Sequence, residues 1–338
     1  MRLKPSGCSY RPPPLHPPRL AAKTFISEIM HRDISQITPL FIVGSPRSGT
    51  TVVMRAAETL KGYYSPHVEG HLLPWLLAGV QKVIDSPEYY PNAFLPSSAC
   101  NGENFDKLLK CIGQAVDEFF QQIAGTPDAT TGSWIDKTPD IHQIRRLPLL
   151  QRLFPKSRII FTTRHPRDVV LSTRKVWDPP NTNRELLGRW NSLHREYRTA
   201  IRPRLDTERV LEIQQESIVA HPDATAKTLR QFLNALPVSE NTLAEFFNEQ
   251  QINRQKASLK GTFTYLDQCD SRFLKWVDSI CGHEMSYWGY LLPDQVGAGI
   301  LDCKNADPRE PLQRQLKRFS TSFSLPSLLA AIRRISGK

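Results

Sequence analysis

Nowhere does this sequence hold the run of ~20 apolar residues that a membrane-spanning helix needs, and its N-terminus lacks an apolar stretch of signal-peptide type. Those absences lead us to expect a cytoplasmic protein, not a lumenal enzyme held by an N-terminal anchor. Cysteine is sparse. Its six residues (Cys8, Cys100, Cys111, Cys269, Cys281, Cys303) form no CxxC pair and no Cys/His metal spacing. They read as reduced structural thiols and speak against a disulfide framework or a bound metal. Internal repeats are missing too. The body of the chain also carries little excess charge. Of the formal net charge of +11, residues 1–37 contribute six Lys/Arg against two acids and residues 301–338 eight against three, leaving 30 against 28 between them. No basic stripe crosses the core, which argues against nucleic acid as the partner.

What is present is an ordinary globular composition, 40% hydrophobic and 23% charged over 338 residues, enough for one large α/β domain. Residues 1–37 are a Pro-rich basic leader whose Arg11-Pro-Pro-Pro-Leu-His-Pro-Pro18 excludes helix and central strand. Pro39 to Val43 reads as a short buried strand and Thr50 to Leu60 as helix. His71 to Ile84 is apolar at helical spacing. So is Phe105 to Ile123, with Leu108, Leu109, Ile112, Val116, Phe119 and Phe120 on one side. Trp134-Ile135 is a strand ending at Asp136-Lys-Thr-Pro139. Arg158 to Thr163 is the clearest strand; a helix follows through Trp177. Arg209 to Ile213 is another, followed by helices over Pro222 to Leu236 and Thr242 to Gln250. Strands separated by helices imply a three-layer α/β sandwich around a parallel sheet. The core domain then spans 38–292. A basic extension, 293–338, ends in an amphipathic helix from Leu325 to Ile335, which suits peripheral contact with an anionic membrane or docking on the protein's own body.

Between the first strand and its helix lies Gly44-Ser-Pro-Arg-Ser-Gly-Thr-Thr51. Strand, GxxxxG and helix make an anion site, because backbone N–H groups and a helix N-terminus converge there. A triphosphate-binding loop continues with Lys, which reaches the β- and γ-phosphates, and a Mg2+-holding hydroxyl. Here Thr50 takes the Lys position and Arg47 is the loop's cation, so the loop suits a smaller anion handled without metal. A second element matches it: Arg164 stands at a strand end, with Ser172 eight residues on in the next helix. An Arg fork beside a hydroxyl suits a phosphate monoester. Taken alone, Arg164 is more often a structural ion-pair partner, here of Asp168.

With both elements in place, the chain resembles the sulfotransferases that use 3'-phosphoadenosine-5'-phosphosulfate (PAPS), in motif style the tyrosylprotein and carbohydrate branch. The resemblance covers residues 38–290 and implies a P-loop-like fold. It implies that Arg47, Ser48, Gly49, Thr50 and Thr51 hold the 5'-phosphosulfate and that Arg164 and Ser172 hold the 3'-phosphate. It further implies PAPS contacts from Lys275, in Lys-Trp-Val, and from Ser258. The chain departs from the family pattern where Gln215, before Glu216, replaces a nucleotide-contacting Tyr.

Sulfuryl transfer needs a base, a cation near the leaving phosphate and no metal ion. Glu69 is the candidate base, with His67 and His71 as rivals in the same loop; a plain helix-N-terminal acid is the bland alternative. Lys137 and Arg47 are the candidate cations, although a strand-end Lys beside Asp136 is often just a solvated ion pair. The acceptor is a hydroxyl on a peptide tyrosine, a saccharide or another metabolite, to be set by residues 62–99 and 177–189. Two other readings stand beside this one: a Mg2+-dependent phosphotransferase or NTPase with a degenerate loop, and a catalytically silent nucleotide-binding scaffold.

Overall fold

A computed structural model describes residues 33–67, 69–85, 103–124, 133–177, 179–235, 243, 245–247 and 270–290. Most of the Pro-rich leader, Ser258 and the basic extension with its amphipathic end fall outside them, as does most of the 242–250 segment. Five strands, β1 (Leu40–Gly44), β2 (Tyr63–Tyr64), β3 (Ser133–Lys137), β4 (Arg158–Thr163) and β5 (Val210–Gln214), form one parallel sheet in the order β2-β3-β1-β4-β5. β1 and β3 are buried along their whole lengths, as a parallel sheet covered on both faces requires.

Alternation sorts the strand side chains into two cores. Phe41, Val43, Trp134, Ile159 and Phe161 face one way. They pack against α2 (Leu72–Asp85), α3 (Glu103–Ala124), α4 (Ile141–Leu153), α5 (Pro166–Trp177), α6 (Asn183–Glu196) and α9 (Ser271–Tyr287). Leu40, Ile42, Ile135, Ile160 and Ile213 face the other way, towards α1 (Thr50–Glu58), the short α7 (Gln215–Ala220) and α8 (Pro222–Leu233). The result is the expected three-layer sandwich. Trp134 anchors the first core, stacked on Phe120 at 4.3 Å and edge-on to Phe41 and Phe154 at 5.7 and 5.5 Å. Its indole N–H donates to buried Asp117 at 2.8 Å.

The strands expected from the sequence are present within a residue or two, and β3 runs on to include Lys137. In α3 the inward stripe is Leu109, Ile112, Val116 and Phe120; Leu108 and Phe119 lie outside it and are exposed. At about 100° per residue those two fall beyond the buried sector. α8 stops at Leu233 because Asn234 adopts a left-handed C-cap, φ +48°. Because β3 and β4 flank β1 on opposite sides, chain direction around the sheet reverses beside β1. The carboxyl ends of such strands open a ligand crevice at that switch point. Gly44, Lys137 and Thr163 are the last residues of those three strands.

Candidate active site

The loop after β1 owes its shape to two glycines and one strained arginine. Gly44 (φ +149°) has no room for a side chain: a Cβ would lie 2.2 Å from the Thr162 carbonyl oxygen. Gly49 caps α1 in the left-handed region (φ +95°), and no side chain caps that helix. The first intrahelical bonds run from the Val52 and Val53 N–H groups to the Gly49 carbonyl. The amides just before them are the orphan N–H groups of a helix N-terminus, the kind that can bind an anion. Ser48 is fully buried; its Oγ lies 2.6 Å from both the Ser45 carbonyl and Thr162 Oγ1, and its N–H donates to Ser45 at 3.2 Å. Ser48 therefore shapes the loop.

Arg47 has φ +69°, a conformation costly for a residue with a Cβ. Its Nε donates to Ser172 Oγ at 3.1 Å, and its guanidinium lies 5.5 Å from the Trp177 ring. Arg164 Nη1 donates to the Arg47 carbonyl at 3.4 Å. Arg47, Arg164 and Ser172, from three separate segments, thus form one basic corner. Asp168 is not the main partner of Arg164: it lies 3.9 Å from Arg164 but 2.9 Å from buried Arg167.

The second half of the site is built on Lys137. It is 6% exposed, at the end of β3. Its Nζ donates to Glu69 Oε1 at 2.8 Å and to Thr51 Oγ1 at 3.3 Å, tying the Glu69 loop to the phosphate loop. Glu69 Oε2 lies 3.0 Å from His71 Nε2. Burial pushes the Glu69 carboxyl up, but Lys137 and His71 outweigh it and hold the group below its ordinary value. His67 is turned elsewhere, 3.1 Å from Glu58. His67 (φ +60°) and His71 (φ +43°) join Arg47 as positive-φ residues in the two site loops; strain of this kind gathers at functional sites.

Asp136, next to Lys137, is 1% exposed and takes hydrogen bonds from Thr138 at 3.0 Å and Gln143 at 2.8 Å. Burial pushes its carboxyl up to about 6, against the pull of the Thr138 bond. Gln215 is 91% buried, its Oε1 has no partner in the structure, and a Cβ on Gly49 would lie 3.3 Å from its amide. Ser45 Oγ, in the loop itself, is likewise buried without a partner. Unpartnered acceptors beside an uncapped helix N-terminus and a basic corner fit a ligand joining anionic groups to a base or sugar with N–H or O–H donors.

The apolar exposed surface of α2, Leu72, Trp75 and Leu76, begins just after Glu69, while Val176 and Trp177 end α5 beside Arg47. Lys275 lies on the exposed side of α9, and no hydrogen bond or ion pair among the described residues joins it to the loop or to Arg164. Sequence reasoning missed the braces behind Arg164, namely Trp190, His194, Glu216 and Tyr290. One signal was available: Thr182 and Glu185 form a capping box that starts α6. Among the described residues no group of three or more His, Cys, Asp or Glu is arranged to hold a metal ion, and no helix is long and apolar enough to cross a membrane.

Several solved sulfotransferases resemble the chain in fold. STF9 from Mycobacterium avium is 18% identical, with 81% of this chain and 82% of that chain covered and a TM-score of 0.46. The sulfotransferase domain of the Synechococcus PCC 7002 olefin synthase is 18% identical, covering 76% and 98% with a TM-score of 0.45. Mouse SULT7A1, solved in complex with PAP, is 14% identical, covering 75% and 85% with a TM-score of 0.42. No curated protein sequence matches the chain significantly. The model of the sulfotransferase family matches residues 39–240, from the first residue before β1 past the end of α8 and including every loop of the site just described. The chain belongs to the sulfotransferase family.

Proposed function

We propose that the protein transfers the sulfuryl group of PAPS to an acceptor hydroxyl, without a metal ion, and that Glu69 accepts the hydroxyl proton. One observation carries this reading: Arg47 joins Ser172 and Arg164 on one side of the loop, while Thr51 joins Lys137 and Glu69 on the other. A donor with phosphate at both its 3' and 5' positions spans that arrangement. Arg164 and Ser172 take the 3'-phosphate, and the amides after Ser48 take the 5' end. PAP in the SULT7A1 complex supports this choice of nucleotide. PAPS supplies an activated sulfuryl group and a phosphate leaving group. Glu69, kept ionised by Lys137, is ready to take a proton at pH 7. Lys137 and Arg47 place two cations where negative charge grows on the departing phosphate.

His71 supports a second reading of the base, because its ring nitrogen touches the carboxylate that would orient it. In that version Glu69 holds His71 and His71 takes the proton. The exposed apolar side chains on either side of the site favour an acceptor with an apolar ring, such as the phenol of a tyrosine peptide, over a saccharide.

The test is transfer from radiolabelled PAPS to tyrosine peptides, saccharides and simple phenols, with EDTA present. Labelled product in EDTA is the expected result; turnover that demands ATP and Mg2+ overturns it. Tight PAP binding without turnover would favour a silent scaffold. Glu69→Gln should abolish turnover with either base, whereas His71→Ala does so only if His71 takes the proton.

A further inference from the structure

Glu216 has no part in the chemistry above, yet it stands directly behind Arg164. Its Oε1 accepts the main-chain N–H of His165 at 2.9 Å. Its Oε2 lies 3.3 Å from the Tyr290 hydroxyl, which lies equally far from Thr163 Oγ1. Thr163 Oγ1 also meets His194 Nε2 at 2.9 Å, and Trp190 Nε1 donates to the Arg164 carbonyl at 3.0 Å. The three residues that leave β4 are therefore each braced by side chains of other elements: Trp190 and His194 from α6, Glu216 from α7, and Tyr290 from just beyond α9.

The Arg164 guanidinium is held far more loosely. Among the described residues it makes only long contacts, to the Arg47 carbonyl at 3.4 Å and to Asp168 at 3.9 Å. A long side chain tethered this weakly is aimed mainly by its backbone. Here that backbone is fixed at the carbonyl of Arg164 and at the next N–H. Trp190, which holds the Arg164 carbonyl, is 2% exposed, His194 behind Thr163 is fully buried, and Glu216, which holds the His165 N–H, is half-buried. Burial pushes the Glu216 carboxyl up, against the pull of the His165 amide and of Arg164. A half-buried carboxylate with a donor on each oxygen is positioned by those bonds more than by solvation.

We propose that Glu216 is a positioning residue: with Tyr290 it fixes the turn from Thr163 to His165 so that Arg164 meets the nucleotide's 3'-phosphate. The brace thereby sets how strongly the protein prefers nucleotides that carry that phosphate. The proposal rests on the reading of Arg164 given above. It also links the 3'-phosphate contact to the chain that follows α9, through the Tyr290 hydroxyl.

Calorimetric titration of the full chain with adenosine 3',5'-bisphosphate and with AMP, which lacks the 3'-phosphate, tests it. The readout is the affinity ratio of the two, which a loss of overall stability does not change selectively. The wild type should prefer the bisphosphate by about 100-fold, the scale of a charge-assisted fork, and Arg164→Ala should abolish most of that preference. Glu216→Ala should cut the ratio about tenfold with AMP affinity unchanged. Glu216→Gln keeps a side-chain carbonyl for the His165 N–H and should stay within about threefold of wild type. Tyr290→Phe should lower the ratio about threefold, and it serves if Glu216→Ala does not fold. In turnover, Glu216→Ala should raise KM for PAPS about tenfold and leave kcat within about twofold.

A wild-type ratio in Glu216→Ala or in Tyr290→Phe overturns the inference alone, provided Arg164→Ala has lost the preference. So does an equal loss of both nucleotides in Glu216→Ala, or a Glu216→Gln as impaired as Glu216→Ala. A wild type that binds the two nucleotides equally, or an Arg164→Ala that keeps the preference, overturns the Arg164 reading and the inference with it.

Discussion

Replacing Gly70 with alanine should damage catalysis while sparing nucleotide binding. Gly70 lies between Glu69 and His71, and a Cβ there would sit 2.4 Å from Asp136 Oδ1, where ordinary contact begins at 3.4 Å. Something must move by about 1 Å. Asp136 is poorly placed to yield, since it is 1% exposed and tied to Thr138 at 3.0 Å and to Gln143 at 2.8 Å. The loop must give way instead, carrying Glu69 off its 2.8 Å contact with Lys137. A reacting group displaced by ~1 Å costs on the order of 100-fold in rate. Steady-state assays with saturating PAPS should show kcat for Gly70→Ala down about 100-fold, and calorimetry should show bisphosphate affinity within about twofold of wild type. A Gly70→Ala protein with wild-type kcat would refute the reasoning, because it would mean that Glu69 need not be held where Lys137 holds it.

Other consequences follow from the same contacts. Arg164→Ala should weaken bisphosphate binding by about 2–3 kcal/mol, measured by calorimetry, because it deletes a charge-assisted contact. Glu69 acts as a base only when ionised, and Lys137 with His71 holds its carboxyl low against burial. Activity should therefore persist as pH falls until below the usual carboxylate value near ~4.3. In Lys137→Met, burial goes unopposed by the ammonium, and the acid limb of kcat/KM should move to higher pH. Asp136 shows the opposite sign. Its folded-state value of about 6 lies above its unfolded one, so its contribution to stability is full below ~3.9 and lost as pH rises through about 6. Urea titrations at pH 4 and pH 7 should show Asp136→Asn gaining roughly 2 kcal/mol on wild type between the two. A gain independent of pH would contradict the shift.

Much of the fold was legible because its longest central strands are short buried apolar runs. Leu40 to Val43 and Arg158 to Thr163 announce themselves in this way. The loop was legible too, since its chemistry is continuous in sequence from Gly44 to Thr51. What could not be read is what comes together only in three dimensions. The bond from Arg47 to Ser172 joins residues 125 apart, and that from Lys137 to Glu69 joins residues 68 apart. The role of Ser48 was hidden for another reason: the motif names the residue, but Thr162 on a neighbouring strand decides where its hydroxyl goes. In α3 a generous reading of the apolar face admitted Leu108 and Phe119, because period alone does not say how wide the buried sector is. α7 was passed over because Gln215 to Ala220 is too short to show a period, and it carries Glu216, the brace on Arg164.

The account stands most directly on where the sulfuryl group goes. PAPS and a tyrosine peptide, incubated with the protein in EDTA and resolved by chromatography with mass detection, give the answer in one run. Adenosine 3',5'-bisphosphate and sulfated peptide should appear in equal amounts, and both should vanish in Glu69→Gln. No sulfated product from any acceptor in the panel, or one that appears only with ATP and Mg2+, would contradict it.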